Sequence, residues 1–333
     1  MLKGLLLGLG RFAACCVVAM FSMAALGQAL PKVVYVGSTW YGHAPVWVGI
    51  EKGLFKNEGF DVEFRLVQGS VDRVNAIASG NAQFGSIGLV GVLSVMAQGN
   101  KSFYWVGNQD QSQGAEGIVG GPNVKSIADL KGKKLGMQFG GSSELVDYFL
   151  LKQAGLDLYK DVQLINVQQS QLPQALSQGL IDAAGAYAPE YDRLQQLPGA
   201  KVIGANEDLF FWTKFGSTPS PDVLLLSKSF VDADPARAKR FMKAYFKAVD
   251  VVRSNEPEVP AIVAKYTKQE PPAVKDGMTR FIWRTYADQK KILSDQGLFG
   301  VADFVADYLS DVAKKVPEKP KFREWVRADL VTD

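Results

Sequence analysis

The sequence predicts an α/β protein built as two lobes, and three observations carry that prediction. Short apolar segments alternate with helical segments of about ten residues from Val33 onward. The alternation starts afresh near Ala115. A later apolar segment, 223–226, reads as a strand that returns to the first unit, and the chain after it is mostly helical.

Taken in order, the first unit reads as a strand at 33–37, a helix at 44–54 ended near Gly53, and an alternating strand at 60–67. Ser70 suits the N-cap of a helix at 71–79, which Gly80 closes. A strand at 82–87, a helix at 89–98 closed by Gly99 and a strand at 103–107 follow. The second unit reads as a strand at 115–119, a short helix at 126–130, a strand at 134–137 and a helix at 142–154 stopped by Gly155. A strand at 162–167, a helix at 171–178 and a strand at 183–187 complete it. The longest helix, 236–253, places Phe241, Tyr245, Ala248 and Val252 on one face. Pro271, Pro272 and Pro317 punctuate the tail. The alternation predicts parallel βαβ units. It divides the chain into a first lobe of 30–116 plus 224–333 and a second lobe of 117–223.

Residues 1–29 carry a different signal. Lys3 and Arg11 give a positive start, 12–26 is an apolar stretch of 15 residues, and Gly27-Gln28-Ala29 places small residues where a signal peptidase reads. The expectation is a signal peptide cut after Ala29 and a periplasmic protein. Fifteen apolar residues fall short of the roughly 20 that span a bilayer. Both cysteines, Cys15 and Cys16, lie in this stretch, and Phe12-Ala13-Ala14-Cys15 is a poor lipidation motif. The G-x-G-x-x-A run at 8–13 follows no strand and is set aside.

Removing Lys3 and Arg11 leaves 35 basic against 34 acidic residues, a net +1. That balance argues against a nucleic-acid partner. His43 is the single histidine, and no metal-binding or nucleophile-elbow motif is present, so neither a metal nor a cofactor is expected.

Three stretches carry a family resemblance. Residues 44–64 read APVWVGIEKGLFKNEGFDVEF, residues 69–99 read GSVDRVNAIASGNAQFGSIGLVGVLSVMAQG, and residues 126–155 read SIADLKGKKLGMQFGGSSELVDYFLLKQAG. Together they resemble the periplasmic solute-binding proteins of ABC importers for taurine, alkane sulfonates and nitrate, which share a fold with the NMT1/THI5-like pyrimidine-precursor binders. The resemblance implies a two-lobed, type II-like periplasmic-binding-protein fold and no enzymatic activity. It also implies a monomer that closes on a small solute and hands it to an inner-membrane permease.

Ligands of open α/β sheets bind beyond the carboxyl ends of strands. That rule selects Trp40, Tyr41 and His43 after the first strand, Gly69 and Ser70 after the second, and Ser86 and Gly88 at the third. In the second lobe it selects Gly141, Ser142 and Ser143, then Tyr187 and Glu190. Helix N-termini with glycine and serine suit anionic oxygens, although capping accounts for Ser70 and Ser142 equally well. Trp40 and Tyr41 suit either a pocket wall or the core. Tyr187 matches a position where the resembling proteins place a cleft aromatic. Asp222 matches an aspartate that in taurine-type receptors meets the ammonium group. With Glu190, it makes a zwitterion the ligand that reconciles both halves. No arginine stands at the expected anion turns, and Arg73 lies inside its helix. A pyrimidine precursor or aromatic carboxylate stacked on Trp40, Tyr41 and Tyr187 is the alternative ligand. An exported hydrolase using Ser142 or Ser143 is the alternative activity.

Overall fold

The structure, a computed structural model, describes residues 30–332. The leader expected at 1–29 lies outside them. Among the described residues no helix is long and apolar enough to cross a membrane.

Four strands build most of a first sheet: β1 (Lys32–Gly37), β2 (Asp61–Leu66), β3 (Phe84–Gly88) and β4 (Phe103–Gly107). After the short β5 (Asp110–Ser112), a second sheet takes β6 (Glu116–Gly120), β7 (Lys134–Met137), β8 (Gln163–Asn166), β9 (Ala183–Tyr187) and β10 (Lys201–Ala205). The chain then returns: β11 (Asp222–Ser227) inserts between β3 and β4, giving the order β2-β1-β3-β11-β4. The second sheet runs β10-β6-β9-β7-β8. The chain thus passes between the sheets twice, and Glu116 and Asp222 open the strands that follow each passage.

Neither sheet is wholly parallel, which corrects the expectation. β11 runs antiparallel to β3 and β4, and β6 runs antiparallel to β9 and β10. An apolar run signals burial but carries no direction; β11 is reversed because it arrives from the second sheet. Three strands escaped the sequence reading. β10 is an edge strand with an exposed start, and β5 and β12 (Phe281–Trp283) are three-residue partners of each other. The last two are too short for a periodic signal.

The helix Pro235–Arg253 shows how sequence chemistry seats an element. Asp234 Oδ1 accepts from the Arg237 N–H at 2.9 Å, Pro235 opens the first turn, and the 19-residue helix buries one apolar stripe. Phe241 and Tyr245 on that stripe meet Phe84 of β3 edge-on at 5.1 and 4.9 Å. The centre of the first sheet is therefore buried and apolar, and its polar residues collect at the strand ends.

Candidate functional site

Those strand ends face one small chamber. From the first sheet it is lined by Ser38, Trp40, Ser70, Arg73 and Gly88. From the second sheet it takes Glu116, Ser142 and Tyr187, with Asp110 to Ser112 of β5 and Thr218 to Asp222 of the return segment completing the wall. About 30 Å³ is open to the centre of a water-sized sphere. Holding one water on that measure takes roughly 10–15 Å³, so the chamber suits a molecule of few non-hydrogen atoms.

Ser70 and Ser142 meet here from different sheets. A Cβ built on Gly88 would lie 3.7 Å from Ser70 Oγ, 4.0 Å from Ser142 Cβ and 3.6 Å from Asp222 Oδ1. The structure corrects their expected capping role. Gly69 and Gly141 are the N-caps, and each serine is the first residue of its helix, Ser70–Ala78 and Ser142–Gln153. Neither hydroxyl is the N-cap of its own helix. Gly69 and Gly141 instead line an adjoining cleft that shares Ser70 and Tyr187 with the chamber.

Arg73 lines the chamber after all. It sits one turn beyond Ser70, on the same helix face. Its guanidinium donates to the carbonyls of Val67 and Gln68 at 3.0 and 2.9 Å and to Ser70 Oγ at 3.1 Å. Opposite it, Ser86 donates to Asp222 Oδ2 at 3.1 Å and accepts from Gln109 Nε2 at 2.6 Å. Ser86 is therefore a support for Asp222 behind the chamber wall. Trp40 and Tyr187 meet edge-on with ring centres 5.7 Å apart, and Trp40 also packs 4.8 Å from Phe281.

Three acids face this space. Burial pushes Asp222 up, and Arg73 opposes the rise. Burial pushes Asp110 well up, with Asp222 adding to it. Burial likewise pushes Glu116 up to about 8, against the hydroxyl of Ser142. Asp110 Oδ2, Glu116 Oε1 and Ser220 Oγ are buried without a hydrogen-bond partner among the described residues.

Four expected site residues lie elsewhere. Tyr41 is buried in the core, against Phe281 and the backbone at Gly277. His43 is buried with Nδ1 held by Tyr35 Oη at 2.8 Å and Nε2 by Ser38 Oγ at 3.2 Å. Burial pushes its pKa well down, so it stays neutral. Ser143 is buried behind Ser142 and accepts from Gln169 Nε2 at 3.3 Å. Glu190 turns along its own helix to Arg193, 3.0 Å away. Successive residues of a helix point about 100° apart, so being near a strand end does not make a side chain face the cleft.

The reading of strand ends missed Arg73, Asp110, Gln111, Ser112 and Glu116, and it missed Thr218, Ser220 and Pro221. Arg73 was visible as a cation three residues after Ser70. The polar run Ser217-Thr218-Pro219-Ser220-Pro221 before an apolar strand was a second signal.

The sequence model of the family described as NMT1/THI5 like matches residues 40–258. The chain belongs to the NMT1/THI5-like family. A Brucella abortus (strain 2308) protein, named as a binding protein without a specified ligand, is 28% identical over 92% of this chain and 93% of its own. The taurine-binding periplasmic protein of Escherichia coli (strain K12) is 26% identical over 58% of each chain. The periplasmic aliphatic sulphonate binding protein SsuA from Escherichia coli superposes with a TM-score of 0.74 at 20% identity, covering 92% of this chain and 99% of that one. This NMT1/THI5-like protein therefore has the periplasmic-binding-protein fold. The fold alone does not decide the activity: the desulfurization enzyme DSZB superposes at a TM-score of 0.65 with 15% identity, covering 90% and 97% of the two chains.

Proposed function

We propose that the protein is a monomeric, periplasmic solute-binding component of an ABC importer, and that its ligand is a small zwitterion of the aminosulfonate type. One observation carries the ligand class. A single small chamber sets Arg73, the hydroxyls of Ser70 and Ser142 and two helix starts beside the Asp222 carboxylate. Hydroxyls, free helical N–H groups and a guanidinium suit anionic oxygens. A carboxylate suits an ammonium. Burial favours the neutral forms of Asp110 and Glu116. At Asp222 the Arg73 guanidinium opposes the effect of burial, so these two are the charges that balance, and a net-neutral ligand preserves the balance.

The same inventory disfavours nitrate, which would add an uncompensated negative charge to a chamber whose charges already balance. The limited volume and the packing of Trp40 against Phe281 disfavour a stacked pyrimidine. Catalysis by Ser142 or Ser143 has no histidine base in its favour, because both nitrogens of His43 are engaged in the core. The proposed lobes, 30–116 plus 224–333 and 117–223, close on the ligand about the passages near Glu116 and Asp222, and the closed shape is what a permease recognises.

Calorimetry with taurine, ethanesulfonate, nitrate and a hydroxymethylpyrimidine tests the reading. Taurine is expected to bind at least tenfold more tightly than ethanesulfonate. Equal affinities, or a preference for the pyrimidine, would overturn the zwitterion assignment.

A further inference from the structure

Glu116 is the chamber residue that charge balance alone leaves without a task. It opens β6, is 4% exposed, and lines the chamber. The hydroxyls of Ser142 and Ser143 reach its carboxyl, while Oε1 is buried and unpartnered. Its charged surroundings are acidic on two sides. Asp222 faces it from β11, and Asp147 faces it from the helix Ser142–Gln153 with both carboxyl oxygens buried and unpartnered. Tyr187 is its register partner on β9. Arg73, the cation lining the chamber, directs its terminal nitrogens to Ser70 and two backbone carbonyls rather than to Glu116. An ionised Glu116 would hold a negative charge where Ser142 and its helix start offer donors to an anion.

We propose, building on the zwitterion reading, that Glu116 enters the complex as a neutral carboxylic acid and donates its O–H to an anionic oxygen of the ligand. It thereby determines specificity at the second-sheet end of the chamber. A protonated carboxyl is both donor and acceptor, so the same group holds the ligand and stays bound to the Ser142 and Ser143 hydroxyls. Its displacement by burial to about 8 keeps the proton in place at neutral pH. Asp222 across the chamber adds a second reason to stay neutral, because a nearby carboxylate disfavours a further negative charge in a buried site.

The test compares wild type with Glu116→Gln, which keeps a donor but cannot titrate. Unliganded melting temperatures and taurine affinities are measured from pH 6 to 9.5. Taurine's ammonium titrates alike against both proteins and cancels in the ratio of their affinities. Wild type is expected to lose melting temperature relative to Glu116→Gln as pH climbs from 6 towards about 8, and to run parallel to it above that point. Its taurine affinity should fall about tenfold per pH unit above that point, relative to the variant. Glu116→Ala, which removes the donor, should bind taurine at least tenfold more weakly than Glu116→Gln at pH 7.

Melting curves already parallel below that point would show an ordinary, ionised Glu116 and overturn the proposal without touching the zwitterion reading. Diverging melting curves with a constant affinity ratio would overturn the donation to ligand alone. Diverging melting curves with no taurine binding by wild type would overturn the zwitterion reading, and the donation with it. Equal losses in Glu116→Ala and Glu116→Gln at pH 7 would also overturn the donation.

Discussion

Asp222 and His43 show how burial gives two titratable residues different work. Asp222 is held by Ser86 and faces the chamber, where the proposed function makes it the partner of the ligand's ammonium. Asp222→Ala is expected to cost about 2 kcal/mol of taurine binding, a charge-assisted hydrogen bond's worth, and to leave ethanesulfonate binding within about threefold. Equal losses by calorimetry would make Asp222 structural. His43 is neutral in the folded core because burial, aided by Arg73, lowers its pKa. The unfolded chain binds a proton near pH 6.5 that the native protein refuses. Stability is therefore intact above pH 6.5 and falls as pH drops through that value, by about 1.4 kcal/mol per unit. Urea unfolding at pH 6.5 and 5 should differ by about 2 kcal/mol from this residue, and His43→Gln should flatten that slope even though it costs hydrogen bonds. An identical slope in the variant would place the acid sensitivity elsewhere.

Helices and their starts decide what the chamber presents. Gly88 is the N-cap of the helix Leu89–Ala97, with extended backbone at φ −54° and ψ 132° that any residue adopts. A methyl at that position meets ordinary van der Waals distances but projects among Ser70, Ser142 and Asp222. Gly88→Ala should therefore leave the melting temperature within about 2 °C while lowering ligand affinity at least tenfold, because it fills scarce volume. A large drop in melting temperature would mean the position is crowded for reasons the geometry does not show. The helix Ser142–Gln153 is tied at its back to the C-terminal region. Glu144 accepts from Lys315 Nζ and from Tyr159 Oη, and Tyr159 in turn meets Tyr308. Glu144 is 3% exposed, so Lys315→Ala strands a buried charge and should cost about 1–2 kcal/mol, discounted because Lys315 itself is part-exposed. Denaturant unfolding checks the figure. A loss under about 0.3 kcal/mol would show that water replaces the lysine.

At the scale of the molecule, the proposal rests on closure. Ligand at one hundred times Kd should stabilise the native state by about 2.7 kcal/mol. If the two proposed lobes swing about the passages at Glu116 and Asp222, scattering should show a smaller radius of gyration with taurine than without it. One radius under both conditions, together with measurable binding, would remove the closure mechanism and leave a rigid receptor.

The alternation of strands and helices, the restart near Ala115 and the return strand were legible because burial imposes a period on the sequence. Phe103–Gly107, Lys134–Met137 and Ala183–Tyr187 were placed to the residue for that reason. The serines and glycines at helix starts were legible too, since local backbone geometry favours them there. Strand direction was not, and neither were β5, β10 and β12, because pairing depends on residues far apart in the chain. The acids at the chamber were harder still. Asp110, Glu116 and Asp222 are ordinary in sequence, and Arg73 looked committed to its own helix. Only the tertiary structure brings these residues, from separate segments and two sheets, into one dry space. Hydrophobic periodicity is written locally, residue by residue; desolvation and charge balance belong to the surroundings, and those exist only once the chain has folded.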